Sequence, residues 1–308
     1  QYHSSHFSFL MKYENINFPE AVKMMAERAG IKLPEVDTGE SSESLSLLHL
    51  NRFAVDYFHK CLVDGKIGEK ARQYLSGRRI NGDIINLFNL GYAPPGMDII
   101  EEMRKKGFSG KTIEESGLLS SSKKRLVFSQ RIIFPIFNAG GKTIGFGARV
   151  LGNSEPKYIN SPETPVYRKS ESLYGLSLAR QHIRDLGKAI VVEGYFDVIC
   201  PFSHGIKNVV ATLGTSLAEG QVNLLRRYTK EVVMVYDADA AGEKATLRSL
   251  DLFVKNGFRV HIVSLPHGED PDSFLLKRGR KTFLSEIDKA KNLLDYNFPA
   301  RNKSSIVL

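Results

Sequence analysis

The second half of the chain alternates short apolar runs with amphipathic stretches, a pattern typical of a parallel sheet covered by helices. Each apolar run is too short for a helix and is rich in Val and Ile, which favour strands buried on both faces. The predicted strands are residues 188–192, 208–211, 231–236 and 259–265, and the predicted helices are residues 197–203, 217–228 and 240–256. We therefore predict an α/β protein whose second half is a small parallel sheet flanked by helices.

The first half of the chain has helical spacing at its start and extended patterning later, which predicts an α+β unit. The predicted helices are residues 17–30, 47–62, 69–75 and 83–90, with a polar linker at 34–44 and a break at 91–96. Residues 125–137 and 142–150 are extended and are separated by turn residues, which predicts a hairpin. Gly145, Gly147 and Gly152 mark places where another group approaches the backbone closely or where the strand bends. Residues 153–169 are expected to be irregular.

Carboxylates follow three of the predicted parallel strands. Glu193 follows the first strand, Asp237 and Asp239 follow the third, and Asp270 and Asp272 follow the fourth. Because the carboxyl ends of parallel strands lie at one edge of a sheet, we expect these side chains to converge. Clustered carboxylates repel one another unless a cation or a shared proton compensates, and hard divalent cations prefer oxygen ligands. The pattern therefore predicts a divalent metal site.

Two of the acidic positions also have a purely structural interpretation. Asp239 is placed to cap the helix that is predicted to begin at Ala240, a role that Asp often plays. Asp197, four residues after Glu193, either binds a metal through water or caps the helix that follows it. The spacing alone leaves both alternatives open at each position.

The charge balance favours a polyanionic partner. The chain of 308 residues has 43 Lys and Arg against 34 Asp and Glu, a net charge of +9, and nucleic acid is the first expectation, ahead of a membrane surface or an ordinary basic enzyme. The basic stretch 153–169, which contains Lys157 and Lys169, suits a groove for single-stranded nucleic acid or a phosphate clamp, or else is a solvated loop.

Cysteine usage and hydropathy exclude several other classes of protein. Cys61 and Cys200 are the two cysteines and form no C-x-x-C motif, which excludes a disulfide framework and a cysteine zinc site. No apolar run approaches the roughly 18 residues that a membrane span needs. We expect a cytoplasmic protein with no membrane association.

The acidic segments resemble the three signatures of the Toprim domain in bacterial DNA primases of the DnaG type. These segments are Glu193-Gly194-Tyr195-Phe196-Asp197, Asp237-Ala238-Asp239 with Ala241-Gly242, and Asp270-Pro271-Asp272. The resemblance extends to Arg131–Ile136, Gly145–Arg149, Pro156–Thr164, Leu173–Leu176 and Ala211–Thr215. Three residues depart from the usual pattern: Phe196 replaces Met, and Ala238 and Ala148 replace Gly. No charged group is affected.

The resemblance implies a primase catalytic core. Residues 1–35 would be the tail of a zinc-binding domain and a linker, 36–184 a basic N-terminal subdomain, 185–272 the Toprim domain, and 273–308 a truncated helical segment. Mg²⁺ or Mn²⁺ is the implied cofactor, and zinc is not expected because the zinc domain's cysteines are absent.

The resemblance also implies roles for named residues. Glu193, Asp237 and Asp239 would be catalytic, and they would bind metal together with Asp270 and Asp272. The residues implied to bind nucleic acid or nucleotide are Arg78, Arg149, Lys157 and Lys169.

The implied activity is the DNA-directed synthesis of short RNA primers for replication. The implied partners are a single-stranded DNA template, ribonucleoside triphosphates and the RNA primer, together with the replicative helicase through a domain outside this chain. We expect a monomer in a bacterial cytoplasm. The alternative activities are a Toprim nuclease or a topoisomerase-like cleavage, which share the carboxylates, and a non-catalytic binding module. A topoisomerase needs a nucleophilic tyrosine, and neither Tyr158 nor Tyr167 has that sequence context.

Overall fold

A computed structural model describes residues 6–14, 16, 18–31, 41–96, 98–120, 125–152, 154–214, 217–236 and 250–292. The chain divides into two compact units, residues 1–45 and 46–308. No helix among the described residues combines the length and the apolar character that crossing a membrane requires.

The first unit contains two short helices, α1 (His6–Glu14) and α2 (Phe18–Ala29). Leu10 and Ala21 are buried, and the rings of Phe9 and Tyr13, one helical turn apart on α1, are stacked with their centroids 5.7 Å apart. The predicted helix at 17–30 is confirmed, although its predicted first residue, Asn17, lies outside the described residues. The helix ends at Gly30, whose φ of +66° is a conformation that glycine adopts readily.

Helices dominate the next part of the chain. Helix α3 (Ser42–Val63) is followed by α4 (Glu69–Gly77) and α5 (Gly82–Leu87). The predicted linker, residues 34–44, ends earlier than expected, because α3 begins at Ser42, where the hydroxyl of Ser41 accepts a hydrogen bond from the N–H of Ser44 (3.1 Å). Residues 34–40 of that linker lie outside the described residues.

A four-stranded antiparallel sheet follows these helices, with the strand order β1-β2-β3-β4. Its strands are β1 (Gly91–Ala93), β2 (Arg131–Phe137), β3 (Thr143–Val150) and β4 (Tyr158–Asn160), and helices α6 (Ile99–Lys105) and α7 (Gly110–Glu115) lie between β1 and β2 in sequence. The predicted hairpin is confirmed as β2 and β3. The predicted break at 91–96 and irregular stretch at 153–169 were partly wrong, because each contains a strand of three residues, β1 and β4.

The second half of the unit is a five-stranded sheet with the order β6-β5-β7-β8-β9. Strands β5 (Ala189–Val192), β6 (Val209–Ala211), β7 (Glu231–Tyr236) and β8 (Arg259–Ser264) are parallel, and β9 (Lys291–Asn292) is antiparallel to β8. The named helices of this half are α8 (Leu176–Leu186), α9 (Tyr195–Ser203), α10 (Glu219–Leu225) and α11 (Pro271–Asp288). Residues 250–255 are also helical. The α/β prediction, a parallel sheet flanked by helices, is confirmed.

One apolar core connects the two sheets. It contains Phe134 of β2, Val191 of β5 and Tyr195 of α9, all at most 3% exposed. The rings of Phe134 and Tyr195 are stacked with their centroids 4.6 Å apart. A β-carbon at Gly147 of β3 would overlap the Tyr195 ring, so this glycine allows the strand to lie against α9. The start of α9, which follows Glu193 directly, is therefore held against the antiparallel sheet.

Candidate functional site

The carboxyl ends of the parallel strands form an acidic edge. Glu193 directly follows β5 and is half-buried. Strand β7 lies beside β5 and ends at Tyr236, immediately before Asp237. Asp237 and Asp239 themselves lie outside the described residues. The topology thus puts the carboxyl end of β7 at the edge that carries Glu193.

Asp270 begins helix α11. Its Oδ1 accepts a hydrogen bond from the N–H of Ser273 (2.7 Å), and the hydroxyl of Ser273 accepts one from the N–H of Asp270 (3.0 Å). This reciprocal arrangement satisfies two backbone donors at the helix start. At least one oxygen of Asp270 therefore has a structural role.

Asp197 connects the beginnings of two helices. Its Oδ2 accepts a hydrogen bond from the N–H of Gly194 (3.0 Å), and its Oδ1 accepts one from the N–H of Asp272 (3.4 Å). The capping interpretation of Asp197 is confirmed by the first of these bonds. The second bond brings the start of α11 to the edge of the sheet beside α9.

Arg78 forms an ion pair with Asp272. Arg78 follows the last turn of α4, and its Nη1 contacts Oδ2 of Asp272, whose side chain is 3% exposed. Its Nε donates a hydrogen bond to the hydroxyl of Tyr74 (2.9 Å). Oδ1 of Asp272 is buried and has no hydrogen-bond partner among the described residues. A residue predicted to bind nucleic acid thus lies directly against a predicted metal ligand.

Arg149 on β3 is surrounded by aromatic rings. Its guanidinium carbon lies 5.1 Å from the ring centroid of Tyr74, 5.1 Å from that of Tyr158 and 5.5 Å from that of Phe196. Its Nη1 donates a hydrogen bond to the Tyr158 hydroxyl (2.7 Å), and its Nε is buried with no partner among the described residues. No carboxylate forms an ion pair with Arg149 within the described part of the chain.

Neither tyrosine considered as a nucleophile is suited to that role. Tyr167 is fully buried, and burial raises the pKa of its hydroxyl above the usual value. Although 38% of Tyr158 is exposed, its hydroxyl is enclosed, and this desolvation raises its pKa to about 12 despite the opposing effect of Arg149. Burial closes Tyr167 to an external phosphodiester, and the Tyr158 hydroxyl already accepts a hydrogen bond from Nη1 of Arg149. These surroundings do not favour a topoisomerase-like mechanism.

The two predicted lysines lie on the segments that lead into and away from β4. Lys157 is exposed and directly precedes β4, where its carbonyl accepts a hydrogen bond from the N–H of Val150 (3.1 Å). Lys169 is half-buried in a short 3₁₀ turn, and burial lowers the pKa of its ammonium group. Neither side chain forms an ion pair with a described residue, so both cations are available to an external anion.

The described residues do not by themselves form a metal centre. No group of three or more His, Cys, Asp or Glu side chains among them is arranged to hold a metal ion. Two of the five predicted ligands, Asp237 and Asp239, lie outside the described residues. The metal-ligand set therefore stays a prediction.

Two residues at the site escaped the sequence analysis as individual candidates. The sequence pattern predicts Tyr74 only as an ordinary helical residue of α4, yet its ring lies beside both Arg78 and Arg149. Asn160 on β4 donates a hydrogen bond to the carbonyl of Leu213 (3.2 Å) and accepts one from the hydroxyl of Tyr195 (2.5 Å). The one available signal for Asn160 was its place in the Pro156–Thr164 segment.

Comparison with known proteins agrees with this arrangement. Residues 57–180 match the family described as "DNA primase catalytic core, N-terminal domain", and residues 190–275 match the family described as "Toprim-like". A DNA primase of Clostridium acetobutylicum is 40% identical over 297 residues, which cover 94% of this chain and 49% of that relative. The chain thus spans about half the length of the curated relatives it matches.

Two solved structures are similar over most of their length. A DNA primase domain from Pseudomonas aeruginosa has a TM-score of 0.74 and 40% identity, with 81% of this chain and 81% of that chain covered. A DnaG primase catalytic domain bound to single-stranded DNA has a TM-score of 0.76 and 35% identity, with 81% of this chain and 80% of that chain covered. The chain belongs to the DnaG-type DNA primase family and comprises its catalytic-core N-terminal domain and a Toprim domain.

Proposed function

We propose that this chain synthesises short RNA primers on a single-stranded DNA template by metal-dependent transfer of ribonucleotides. The observation that carries the proposal is the contact of Arg78 with Asp272. This contact joins the part of the chain that carries the predicted phosphate-binding cations to the acidic edge of the parallel sheet. A polymerase needs both chemistries together, cations for the nucleic acid and carboxylates for the metal.

The proposal divides the roles between two parts of the chain. Residues 36–184 contribute the cations Arg78, Arg149, Lys157 and Lys169, and residues 185–272 contribute the carboxylates. Arg149 has N–H donors that no described residue uses and suits bidentate phosphate binding, whereas each lysine provides a point charge near a phosphate. The net charge of +9 attracts the template over a longer range.

The proposed ligands of Mg²⁺ or Mn²⁺ are Glu193, Asp237, Asp239, Asp270 and Asp272. Asp272 fits this role because its buried Oδ1 has no hydrogen-bond partner among the described residues, and such an acceptor costs free energy unless a donor or a cation compensates it. When bound, the metal would neutralise charge on the triphosphate and activate a 3′-hydroxyl for attack on the α-phosphate, with pyrophosphate leaving. Arg78 neutralises the other oxygen of Asp272, which limits repulsion within the acidic group.

The test is a primer-synthesis assay with a single-stranded template, labelled ribonucleoside triphosphates and Mg²⁺ or Mn²⁺. We expect template-dependent oligoribonucleotides from the unchanged chain, and their loss in Asp237→Asn. Lys157→Gln should raise the KM for template, whereas Lys105→Gln, which removes an exposed lysine paired with Glu101 and Glu102, should leave the KM unchanged.

Two outcomes would contradict the proposal. Shortened template without any ribonucleotide product would indicate a nuclease that uses the same carboxylates. Template binding that persists at full strength without product, under every metal tested, would indicate a binding module.

A further inference from the structure

We propose that the rings of Tyr74 and Phe196, called here the aromatic pair, are positioning elements that hold Arg78 and Arg149 in place for phosphate binding. The inference rests on the proposed function, because it assumes that Arg149 contacts the nucleic acid. It concerns two residues that carry no charge and would not themselves touch the reacting atoms.

Both guanidinium groups share the aromatic pair. The guanidinium carbon of Arg78 lies 4.5 Å from the ring centroid of Phe196 and 5.3 Å from that of Tyr74. The corresponding distances for Arg149 are 5.5 Å and 5.1 Å. All four distances are within the range of about 6 Å over which a ring attracts a cation.

The shared rings reduce the cost of placing two positive charges close together. Two guanidinium groups beside the same two rings repel each other. Arg78 is compensated by Asp272, but Arg149 has no ion-pair partner among the described residues and donates one hydrogen bond to Tyr158. The negative ring faces stabilise the second cation without occupying its N–H donors. A carboxylate partner would instead compete with phosphate for those donors.

The rings are themselves fixed by the core. Phe196 is 3% exposed, lies in the first turn of α9 and packs edge-to-face on Phe134 of β2, with the centroids 5.3 Å apart. Tyr74 lies 6.1 Å from Phe196 between centroids, and its hydroxyl accepts the hydrogen bond from Arg78. The aromatic pair therefore ties both cations to α4, to β2 and to the helix that follows Glu193.

The contribution of Phe196 depends on its ring and not only on its volume. Met would fill a similar volume but has no ring face, and its flexible chain would hold a guanidinium less firmly. The ring of Phe196 thus adds an attraction for both arginines that a thioether side chain would lack. Phe196→Met is consequently an informative variant that preserves the core volume.

The test measures binding of a fluorescent oligothymidylate to the full chain at several salt concentrations. We expect Tyr74→Leu to weaken binding about fivefold and Phe196→Met to weaken it about threefold, from the usual strength of a cation–π contact. Tyr74→Phe keeps the ring but removes the acceptor for Nε of Arg78, so it should weaken binding less than Tyr74→Leu does. Because loss of a ring loosens the arginine that contacts phosphate, the salt dependence of binding should become shallower in Tyr74→Leu than in Tyr74→Phe.

Two results separate a failure of the inference from a failure of the proposed function. If Arg149→Gln weakens binding while Tyr74→Leu and Phe196→Met bind like the unchanged chain, the aromatic pair has no positioning role. If Arg149→Gln itself leaves binding unchanged, the assignment of Arg149 to the nucleic-acid surface is overturned. An equal loss of binding affinity in Tyr74→Phe and Tyr74→Leu would also overturn the role of the Tyr74 ring.

Thermal unfolding, monitored by circular dichroism, identifies any variant whose weaker binding reflects loss of the fold.

Discussion

Arg78 and Asp272 are 194 positions apart in the chain, yet their side chains form an ion pair between the end of α4 and the first turn of α11. The carboxylate is almost completely buried, and the guanidinium is 26% exposed. The pair therefore joins an element that precedes the antiparallel sheet to one that follows the parallel strands. It affects both the stability of the fold and the charge of the proposed metal site.

Arg78→Met should destabilise the protein because it leaves the Asp272 carboxylate buried without its cation. We expect the free energy of unfolding to fall by about 2–3 kcal/mol, the lower end for a buried pair since Arg78 is partly exposed. Urea denaturation of Arg78→Met, Asp272→Asn and the double variant measures the coupling. The double variant should lose less than the sum of the single losses, and strict additivity would contradict the pairing.

The parallel sheet could be predicted because its strands are continuous apolar runs, such as Ala189–Val192, between amphipathic helices. The hairpin of β2 and β3 could be predicted because two extended runs are separated by turn residues. Strand β4 (Tyr158–Asn160) could not, because three residues are too few to show alternation and its pairing is set by backbone contacts with β3. The hydrophobic pattern of the sequence therefore predicted the longer strands. It missed the short strand that forms only because it pairs with β3.

The candidate site also has one feature that the sequence predicts and one that it does not. The meeting of strand ends follows from parallel topology, and Asp197 indeed links Gly194 after β5 to Asp272 on α11. The aromatic surroundings of Arg149 could not be predicted, because Tyr74 and Phe196 belong to helices far apart in the sequence. Only tertiary packing brings their rings to one guanidinium.

Gly147→Ala should destabilise the fold because the added methyl group would overlap the Tyr195 ring. Tyr195 cannot move easily, since it stacks on Phe134 and its hydroxyl is bonded to Asn160. We expect the free energy of unfolding to fall by about 2 kcal/mol, as for other overpacked sites. The matched control is Gly152→Ala at a position where a β-carbon meets no atom within 4 Å. Equal thermal midpoints for the two variants would contradict the close approach.

Asn160→Leu should weaken the connection between the two sheets. It removes the donor to the Leu213 carbonyl and the acceptor for the Tyr195 hydroxyl, and it leaves two partly buried polar groups unpaired. Leu213 has a φ of +68°, a strained conformation for a branched side chain that this hydrogen bond helps to hold.

We expect Asn160→Leu to lower the free energy of unfolding by about 2 kcal/mol. Asn223→Leu changes an exposed residue of α10 in the same way and should have a much smaller effect. Hydrogen exchange at β4 gives a second measurement, since exchange should accelerate there in Asn160→Leu. If the amides of β4 stay equally protected in Asn160→Leu, backbone pairing with β3 alone holds the strand, and the proposed role of the Asn160 side chain is wrong.

The buried tyrosines should make the fold sensitive to alkali. Burial raises the pKa values of Tyr174 and Tyr195 well above the usual value, and partial burial raises that of the half-buried Tyr57 to about 12. In the unfolded chain these hydroxyls ionise near pH 10. Between about pH 10 and the higher folded-state pKa values, the unfolded chain thus binds fewer protons than the folded protein, so stability falls as the pH rises. Below about pH 10 this contribution to stability is fully present.

Absorbance at 295 nm, recorded together with circular dichroism from pH 8 to 13, measures this effect. We expect an exposed group of tyrosines to titrate near pH 10 and a second group to ionise only as the ellipticity is lost. Tyr174→Phe should reduce the amplitude of the second group, because Tyr174 is 2% exposed and cannot ionise without local opening. A single titration near pH 10 with unchanged ellipticity would contradict the enclosure of these side chains. The same enclosure fixes the rings that hold β3 against α9, so alkaline unfolding should begin where the two sheets share their core.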